Sequence, residues 1–447
     1  MSIRIHKDII KKDHIEEIIR DLVVCFEDKN PTTLYFQDND YIYIPMSYAK
    51  YLFNISSIDK NYPSIEIKSH INLMEPQKIV VDKCINILNE HNSVLLGAYP
   101  GFGKTVCSIY MASHFNLLTL ILTHRVNLVD QWKNTILDYT ESNLWVVGDE
   151  YVTNPKSSNN VIDFIISMDG RFNHLTPEIL NQVGILIIDE AHLMMTCSRI
   201  PKILSVCPKY LILCDATPER VDALHKSLYA LVSKENFVIV KNQKNIILHS
   251  YYTGIKFPYF SRYFKGKDSL DWNKTLESIC EREQRNNFIV KSFDKYLKQG
   301  RKLLIMSSRK SHIEVLRKLS KQYYNDVTTD YLMGSKNEYS DSTILFGTIS
   351  KMGVGFDEKG SCKNFSGKRI DVIFITTSFK NQAMTEQVIG RAMRGENPII
   401  VEFIDEHNTL KSHYKKRLKV YKDNLGLLDQ NITEFKIEDE LKIVLIP

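Results

Sequence analysis

A lysine and a hydroxyl, side by side at the end of a glycine-rich turn, are the residues best equipped for chemistry in this chain. They lie in the stretch Leu95 to Thr105, LLGAYPGFGKT, where the apolar run Val94-Leu95-Leu96 enters the turn and a helix-forming segment follows Gly103-Lys104-Thr105. Strand, glycine-rich loop and helix in that order make a phosphate-binding P-loop. Gly101 and Gly103 let backbone N–H groups turn inward around a phosphate with no Cβ in the way. Lys104 offers a point charge to β- and γ-phosphates, Thr105 offers a hydroxyl to Mg²⁺, and the helix starting near Lys104 adds the positive end of its dipole. Tyr99, Pro100 and Phe102 complete the loop. The first glycine of the pattern is Ala98 here, which serves only if that backbone is not required at positive φ. On this stretch alone, a glycine-rich turn before a core helix is the competing reading.

A second constellation follows the apolar run Gly184 to Ile188, where Asp189-Glu190-Ala191-His192 sits at a strand end. Downstream of a P-loop, such a pair divides its work: Asp189 holds Mg²⁺ through its water shell, and Glu190 orients the attacking water or accepts its proton. Arg391 and Arg394 are three residues apart and share one helical face. They are either a surface salt-bridge pair or arginine fingers that stabilise charge on a γ-phosphate. Gly353-Val354-Gly355-Phe356-Asp357 is built for close backbone approach, and Asp215-Ala216-Thr217-Pro218 puts small residues after another strand. Thr123-His124-Arg125 follows the strand Leu117 to Leu122 and precedes a helix carrying Gln131-Trp132; Trp132 reads as a packing residue ahead of a stacking platform. In Lys256 to Lys267, KFPYFSRYFKGK, aromatics interleave with basic residues, which suits contact with a single nucleic-acid strand or, equally, an exposed loop covering a domain edge.

These residues need a scaffold of strands alternating with helices. That pattern begins near Ile67 and runs to the strand Ile399 to Ile404, the signature of open parallel sheets. It breaks into a first region with the P-loop and a second, beginning near Asn245, without one. Residues 1–65 read as a small α+β accessory domain, and the boundaries that follow are 66–243, 244–407 and 408–447, the last a basic helix and strand-like tail. Residues 358–369, rich in Gly, Ser and Lys, read as a mobile insertion. A length of 447 residues accommodates two or three domains with cores of their own. The net charge of +5 is compatible with nucleic acid but does not demand it. Eight cysteines without a C-x-x-C pair argue against a zinc site or a disulfide framework. With no signal-peptide core and no run near the ~20 apolar residues that span a bilayer, the expectation is a soluble intracellular protein without a membrane partner.

Taken in order, these motifs resemble those of a superfamily-two helicase over roughly residues 70–410. Gln77 matches the adenine-reading glutamine, and AYPGFGKT the first motif, whose leading position is often alanine in that superfamily. Thr123-His124-Arg125, DEAH at 189–192 and Asp215-Ala216-Thr217 resemble the next motifs, with Asp215 standing where serine is usual. The strand ending at Ser307-Ser308, Thr348 to Asp357, and Gln387 to Arg394 resemble the remainder. The resemblance implies an α/β fold of two tandem RecA-like domains with parallel sheets, plus the small N-terminal α+β domain, with ATP and Mg²⁺ bound between the two. Lys104, Thr105, Asp189 and Glu190 would come from one domain and Gly355, Asp357, Gln387, Arg391 and Arg394 from the other. Thr123, Arg125, Ser307 and Thr348 would hold strand phosphates. Within the superfamily the chain looks closest to the XPB-like group, which includes phage branch-migration and viral transcript-release helicases. That implies a DNA-dependent ATPase moving 3′ to 5′, with transcription or replication machinery as partner and the host cytoplasm or virion as location. An RNA helicase and a remodelling factor that does not separate strands remain alternatives.

Overall fold

The computed structural model describes the chain except Met1 and residues 25–31, 55–60, 100, 125, 150, 158–160, 197, 216–225, 241–244, 265–266, 354–355, 357, 380–384, 386–388, 391–396, 439–441 and 446–447. It divides into two compact units, one on Met1–Ala98 and Phe102–Val240 and one on Tyr99–Gly101 and Lys241–Pro447.

The first unit opens with β1 (Ser2–His6), α1 (Lys12–Leu22), β2 (Phe36–Gln37), β3 (Tyr41–Pro45) and α2 (Met46–Phe53). The three strands form an antiparallel sheet in the order β1-β3-β2. Its buried side chains, Ile18, Leu22, Ile42 and Ile44 among them, belong to the same apolar cluster as Leu95, Leu120 and Leu186 further along. The N-terminal segment is therefore a layer packed on the following sheet, sharing its core.

That sheet has eight strands. After α3 (Glu75–His91) come β4 (Ser93–Ala98), α4 (Lys104–Phe115), β5 (Thr119–Thr123), α5 (Val126–Tyr139), β6 (Asn143–Val146), β7 (Tyr151–Val152), β8 (Ile162–Met168), β9 (Ile185–Asp189), the short α6 (Ala191–Met194), β10 (Tyr210–Asp215) and β11 (Phe237–Val240). The order is β11-β4-β10-β9-β5-β8-β6-β7, parallel throughout except for β7 at one edge. Helices covering both faces explain why β4, β5, β9 and β10 are buried at every position. The order matters for the site. The chain leaves β4 and returns on both sides of it, and ligands bind at the carboxyl ends of strands where order reverses in this way. With β10 inserted between β4 and β9, register pairs Asp215 with Gly97 and Cys214 with Asp189, so three strand ends deliver their residues to one place.

The second unit repeats the plan. Its strands are β12 (Ile247–Lys256), the antiparallel hairpin β13 (Ser261–Phe264) and β14 (Lys267–Leu270), then β15 (Leu303–Ser307), β16 (Thr329–Leu332), β17 (Ile344–Thr348), β18 (Val372–Ile375), β19 (Ile399–Glu406), β20 (Ile432–Glu438) and β21 (Lys442–Leu445). Eight of them form a sheet in the order β16-β17-β15-β18-β19-β12-β20-β21, parallel but for β21. Successive residues of β15 and β18 alternate between two cores: Leu304, Met306, Ile373 and Ile375 face one, and Leu303, Ile305, Val372 and Phe374 the other. Helices α7 (Glu283–Lys291), α8 (Lys310–Tyr323) and α9 (Asn408–Asp423) pack around it. The tail is not an appendage, because β20 pairs with β12 from Leu248 to Tyr252.

Residues 358–369 depart from the reading as a mobile insertion. Glu358 is buried and accepts from Lys302 Nζ at 3.1 Å and from the Ile370 N–H, while the Ser366 N–H donates to Asp341 at 2.8 Å. A buried carboxylate shared by a lysine and a backbone amide anchors the segment against β15. Among the described residues, no helix is long and apolar enough to cross a membrane.

Candidate nucleotide site and nucleic-acid face

The P-loop lies at the carboxyl end of β4, as its sequence requires. Gly101 and Gly103 have φ of 92° and 98°, the left-handed region that excludes most side chains. At Gly103 the constraint is doubled, because a Cβ there would stand 2.5 Å from Gln77 Nε2. Ala98 ends the strand in extended conformation and is not among the positive-φ residues, so alanine fits where the pattern has glycine. Lys104 Nζ donates to Ala98 O at 2.8 Å, tying the ammonium to the start of the loop. Phe102 is buried and Tyr99 half-buried, which pushes the Tyr99 phenol up. Gln77 engages both ends of its amide with protein: Nε2 donates to Phe102 O at 2.7 Å, and Oε1 accepts from the Met74 N–H at 3.0 Å. In this geometry the glutamine braces the loop from α3.

Two residues of α5 reach Thr105 and Asp189, the pair expected to ligate Mg²⁺. Gln131 Nε2 donates to Thr105 Oγ1 at 3.1 Å, and Trp132 Nε1 donates to Asp189 Oδ2 at 2.9 Å. Trp132 is fully buried, as the packing reading expects, yet its N–H also orients a carboxylate. Adjacency to a motif was the only signal in the sequence for this second role.

The acidic residues crowd together. Glu190 sits at φ 50°, ψ 53°, a left-handed conformation that turns the chain sharply out of β9 into α6. Its Oε2 is buried without a hydrogen-bond partner, 3.6 Å from His192 Nδ1. Burial pushes the Glu190 carboxyl up to about 7, helped by the neighbouring carboxylates Asp215 and Asp189 and opposed by Lys104. Burial also raises Asp189, against the Trp132 hydrogen bond and Lys104. Behind them, the fully buried Asp215 binds His192 twice, through Nδ1 at 2.9 Å and through the backbone N–H at 2.9 Å. The carboxylate at the position where serine is usual thus makes an Asp–His pair.

The set fits Mg²⁺ and a nucleoside triphosphate. The Thr105 oxygen that accepts from Gln131 keeps a second lone pair, and carboxylates raised by burial are those a cation would stabilise in charged form. Thr105 and Asp189 are the residues placed to hold the ion.

On the expected nucleic-acid face, the residues differ. Thr123 ends β5, fully buried, with its Oγ1 lacking a hydrogen-bond partner. Ser307 is also fully buried, its hydroxyl engaged with His312 Nδ1 at 2.9 Å and the Arg309 N–H at 3.2 Å. The next residue, Ser308, is exposed and accepts from Thr377 at 2.9 Å, which makes it the accessible hydroxyl at the end of β15. Thr348 ends β17 nearly buried, with Ser350 donating to it at 3.4 Å. Pro100, Arg125, Gly355, Asp357, Gln387, Arg391 and Arg394, with Ala216 and Thr217, lie outside the described residues. A buried ionic network that the sequence did not signal supports the ends of β18 and β19. In it Arg285 Nε binds Asp405 at 3.0 Å and its NH1 donates to Thr376 O at 2.8 Å, while Arg417 binds Glu402 at 2.6 Å.

Comparison with known proteins agrees with this geometry. The family model described as "Type III restriction enzyme, res subunit" matches residues 70–220. The protein described as "Putative helicase 161L" of Invertebrate iridescent virus 6 is 32% identical over 417 residues, covering 87% of this chain and 90% of that protein. The protein described as "Putative ATP-dependent RNA helicase L396" of Acanthamoeba polyphaga mimivirus is 25% identical, over 98% of this chain and 86% of its own. Transcript termination protein A18 of Yaba-like disease virus is 24% identical over 82% and 78%. Among solved structures, S. cerevisiae Dbp5 bound to RNA and ADP–BeF3 aligns with a TM-score of 0.53 at 14% identity, covering 81% of this chain and 90% of that one, a likeness of fold. With the P-loop and DEAH residues converging at one sheet edge and a relative matched over nearly its whole length, the chain belongs to the superfamily-two DEAH-type helicases.

Proposed function

We propose that this helicase is an ATP-driven DNA helicase or translocase that moves 3′ to 5′ along one strand, in transcript release, recombination or repair. The observation that carries the hydrolytic part is the Glu190 carboxylate, held at a sharp turn beside Lys104 and Asp189, with a buried oxygen that makes no hydrogen bond and lies 3.6 Å from His192 Nδ1. That is where a group must stand to orient a water and take its proton. Lys104 draws charge from the β- and γ-phosphates, and Thr105 and Asp189 would hold Mg²⁺, which neutralises charge across those phosphates when bound. Arg391 and Arg394 stabilise the γ-phosphate as it leaves.

Strand contact is assigned to Thr123, Arg125 and Thr348 together with the Ser307–Ser308 strand end, by phosphate contacts that carry no sequence information. The β13–β14 hairpin adds exposed tyrosines, Tyr259 before it and Tyr263 on it. Residues 66–243 and 244–407 are the two RecA-like domains in this reading, with 1–65 an accessory layer and 408–447 a basic helix and a tail whose strands β20 and β21 extend the second sheet. Transcription machinery is the proposed partner, in line with the name of the poxvirus relative. The host cytoplasm or the virion is the proposed location.

An RNA substrate is the second reading, favoured by the mimivirus relative's description. One titration separates them: ATPase rate against single-stranded, duplex and forked DNA and RNA of equal length. Stimulation by DNA above RNA is expected, and stimulation by RNA alone overturns the DNA assignment. A strand-displacement assay run beside a translocation assay distinguishes a helicase from a remodelling factor.

A further inference from the structure

We infer that Gln131 and Trp132 are positioning residues for the metal-ligating pair, and that through them α5 transmits occupancy of the strand-binding loop to the ATPase site. The transmission half rests on the nucleic-acid reading above; the positioning half does not.

The geometry is local and complete within the first unit. α5 begins at Val126, three residues after Thr123 closes β5. Gln131 follows five residues later, about 8 Å along the helix axis at 1.5 Å per residue. Neighbouring residues on a helix point about 100° apart, so the two side chains address different elements: Gln131 reaches α4 at Thr105, and Trp132 reaches β9 at Asp189. Asp189 is gripped from both sides, Oδ1 by the Glu190 N–H at 3.0 Å and Oδ2 by the indole at 2.9 Å. Packing alone does not require that contact. A buried indole N–H needs an acceptor, but here the acceptor is the ligand of a divalent ion, and the preceding residue holds the other ligand. Any shift of α5 that accompanies a phosphate binding at its N-terminal end therefore moves Thr105 and Asp189 together. Outer partners of metal ligands typically change metal affinity 10–100-fold when removed, and coupling between sites is typically 5–150-fold.

The test uses the full chain with Trp132→Phe, which keeps a ring and deletes the N–H, and Gln131→Leu, a partly exposed site where folding is not at risk. Binding of a fluorescent ATP analogue is followed by anisotropy across a Mg²⁺ titration, with and without saturating single-stranded DNA, and thermal midpoints are recorded. The expected result is a rise of about 10-fold or more in the Mg²⁺ needed for half-saturation in each variant. The factor by which DNA changes nucleotide affinity should fall towards one, while DNA binding without nucleotide is retained. A lowered thermal midpoint with unchanged Mg²⁺ dependence and unchanged DNA linkage shows that the pair only packs, and overturns the inference. A wild-type protein whose nucleotide affinity ignores both DNA and RNA overturns the transmission half along with the nucleic-acid reading. The Mg²⁺ arm then still decides positioning.

Discussion

Glu190 occupies a left-handed backbone conformation that a residue with a side chain adopts at a cost of about 1–3 kcal/mol. The chain keeps that strain, and a carboxylate raised by burial, at the position proposed to face the attacking water. Glu190→Gln should abolish hydrolysis with the fold intact, as should Lys104→Ala, read by phosphate release beside far-UV circular dichroism. Glu190→Gly should be equally inactive yet gain stability, because glycine relieves both the positive φ and the buried charge; urea unfolding giving a lower midpoint than wild type would refute the strain argument. The Asp215–His192 pair makes a second residue-scale prediction. Asp215→Asn leaves the shape and removes the charge that the buried imidazole faces. Breaking a buried pair on one side typically destabilises by about 3–5 kcal/mol, so a thermal midpoint within a degree of wild type would show that the pair is not ionic.

Among the elements, the β13–β14 hairpin and the strand end at Ser307 make different demands. Tyr263 is 77% exposed, and Tyr259, which stacks on His407 at 6.2 Å between ring centroids, is 63% exposed, so both rings still offer surface to a base. Replacing each by alanine should weaken single-stranded DNA binding by about 5–150-fold at fixed salt, the equivalent of ~1–3 kcal/mol per stacked base. Unchanged affinity in the double variant would return the hairpin to the role of a domain-edge cover. Beneath β15, His312 bridges Ser307 to Asn286 of α7, with Nε2 to Oδ1 at 2.8 Å. Burial, with a smaller contribution from Arg285, lowers its pKa to about 3. The unfolded imidazole titrates near 6.5, so the unfolded chain binds the extra proton between those values. Stability from the neutral ring is therefore complete above about pH 6.5 and is lost as pH falls towards 3. Between pH 6.5 and 5 the loss amounts to about 2 kcal/mol. Urea midpoints at the two pH values should show it, and His312→Gln should reduce the difference by that amount, leaving the part due to His249, which burial also lowers to about 3.

For the whole molecule, the reading requires charge from both halves of the sequence at one phosphate. Arg394→Ala should leave ATP binding near normal and lower kcat by about 10³–10⁵-fold, the range for an arginine finger. Normal turnover in that variant would sink the mechanism. Much of this was legible in the amino-acid order. The P-loop and the DEAH run are local signatures, since a turn that admits inward N–H groups must be written in glycine at set positions. The alternating strands and helices were equally plain, because strands buried on both faces read as unbroken apolar runs. Other features depended on residues distant in sequence. The amide of Gln77 turns out to brace Phe102, and the hydroxyl of Ser307 points into the core and leaves Ser308 outside. Residues 358–369 are held by a buried Glu358, and the N-terminal segment shares its core with the first sheet. Each is a pairing across 5 to 25 residues or more, and composition does not specify such partners. The P-loop residues and Asp189-Glu190 were thus determined by sequence as chemistry. That they meet, with Trp132 and Asp215 behind them, was decided by the insertion of β10 between β4 and β9. Strand order follows from how the whole sheet buries its faces, and no single stretch of the chain contains it.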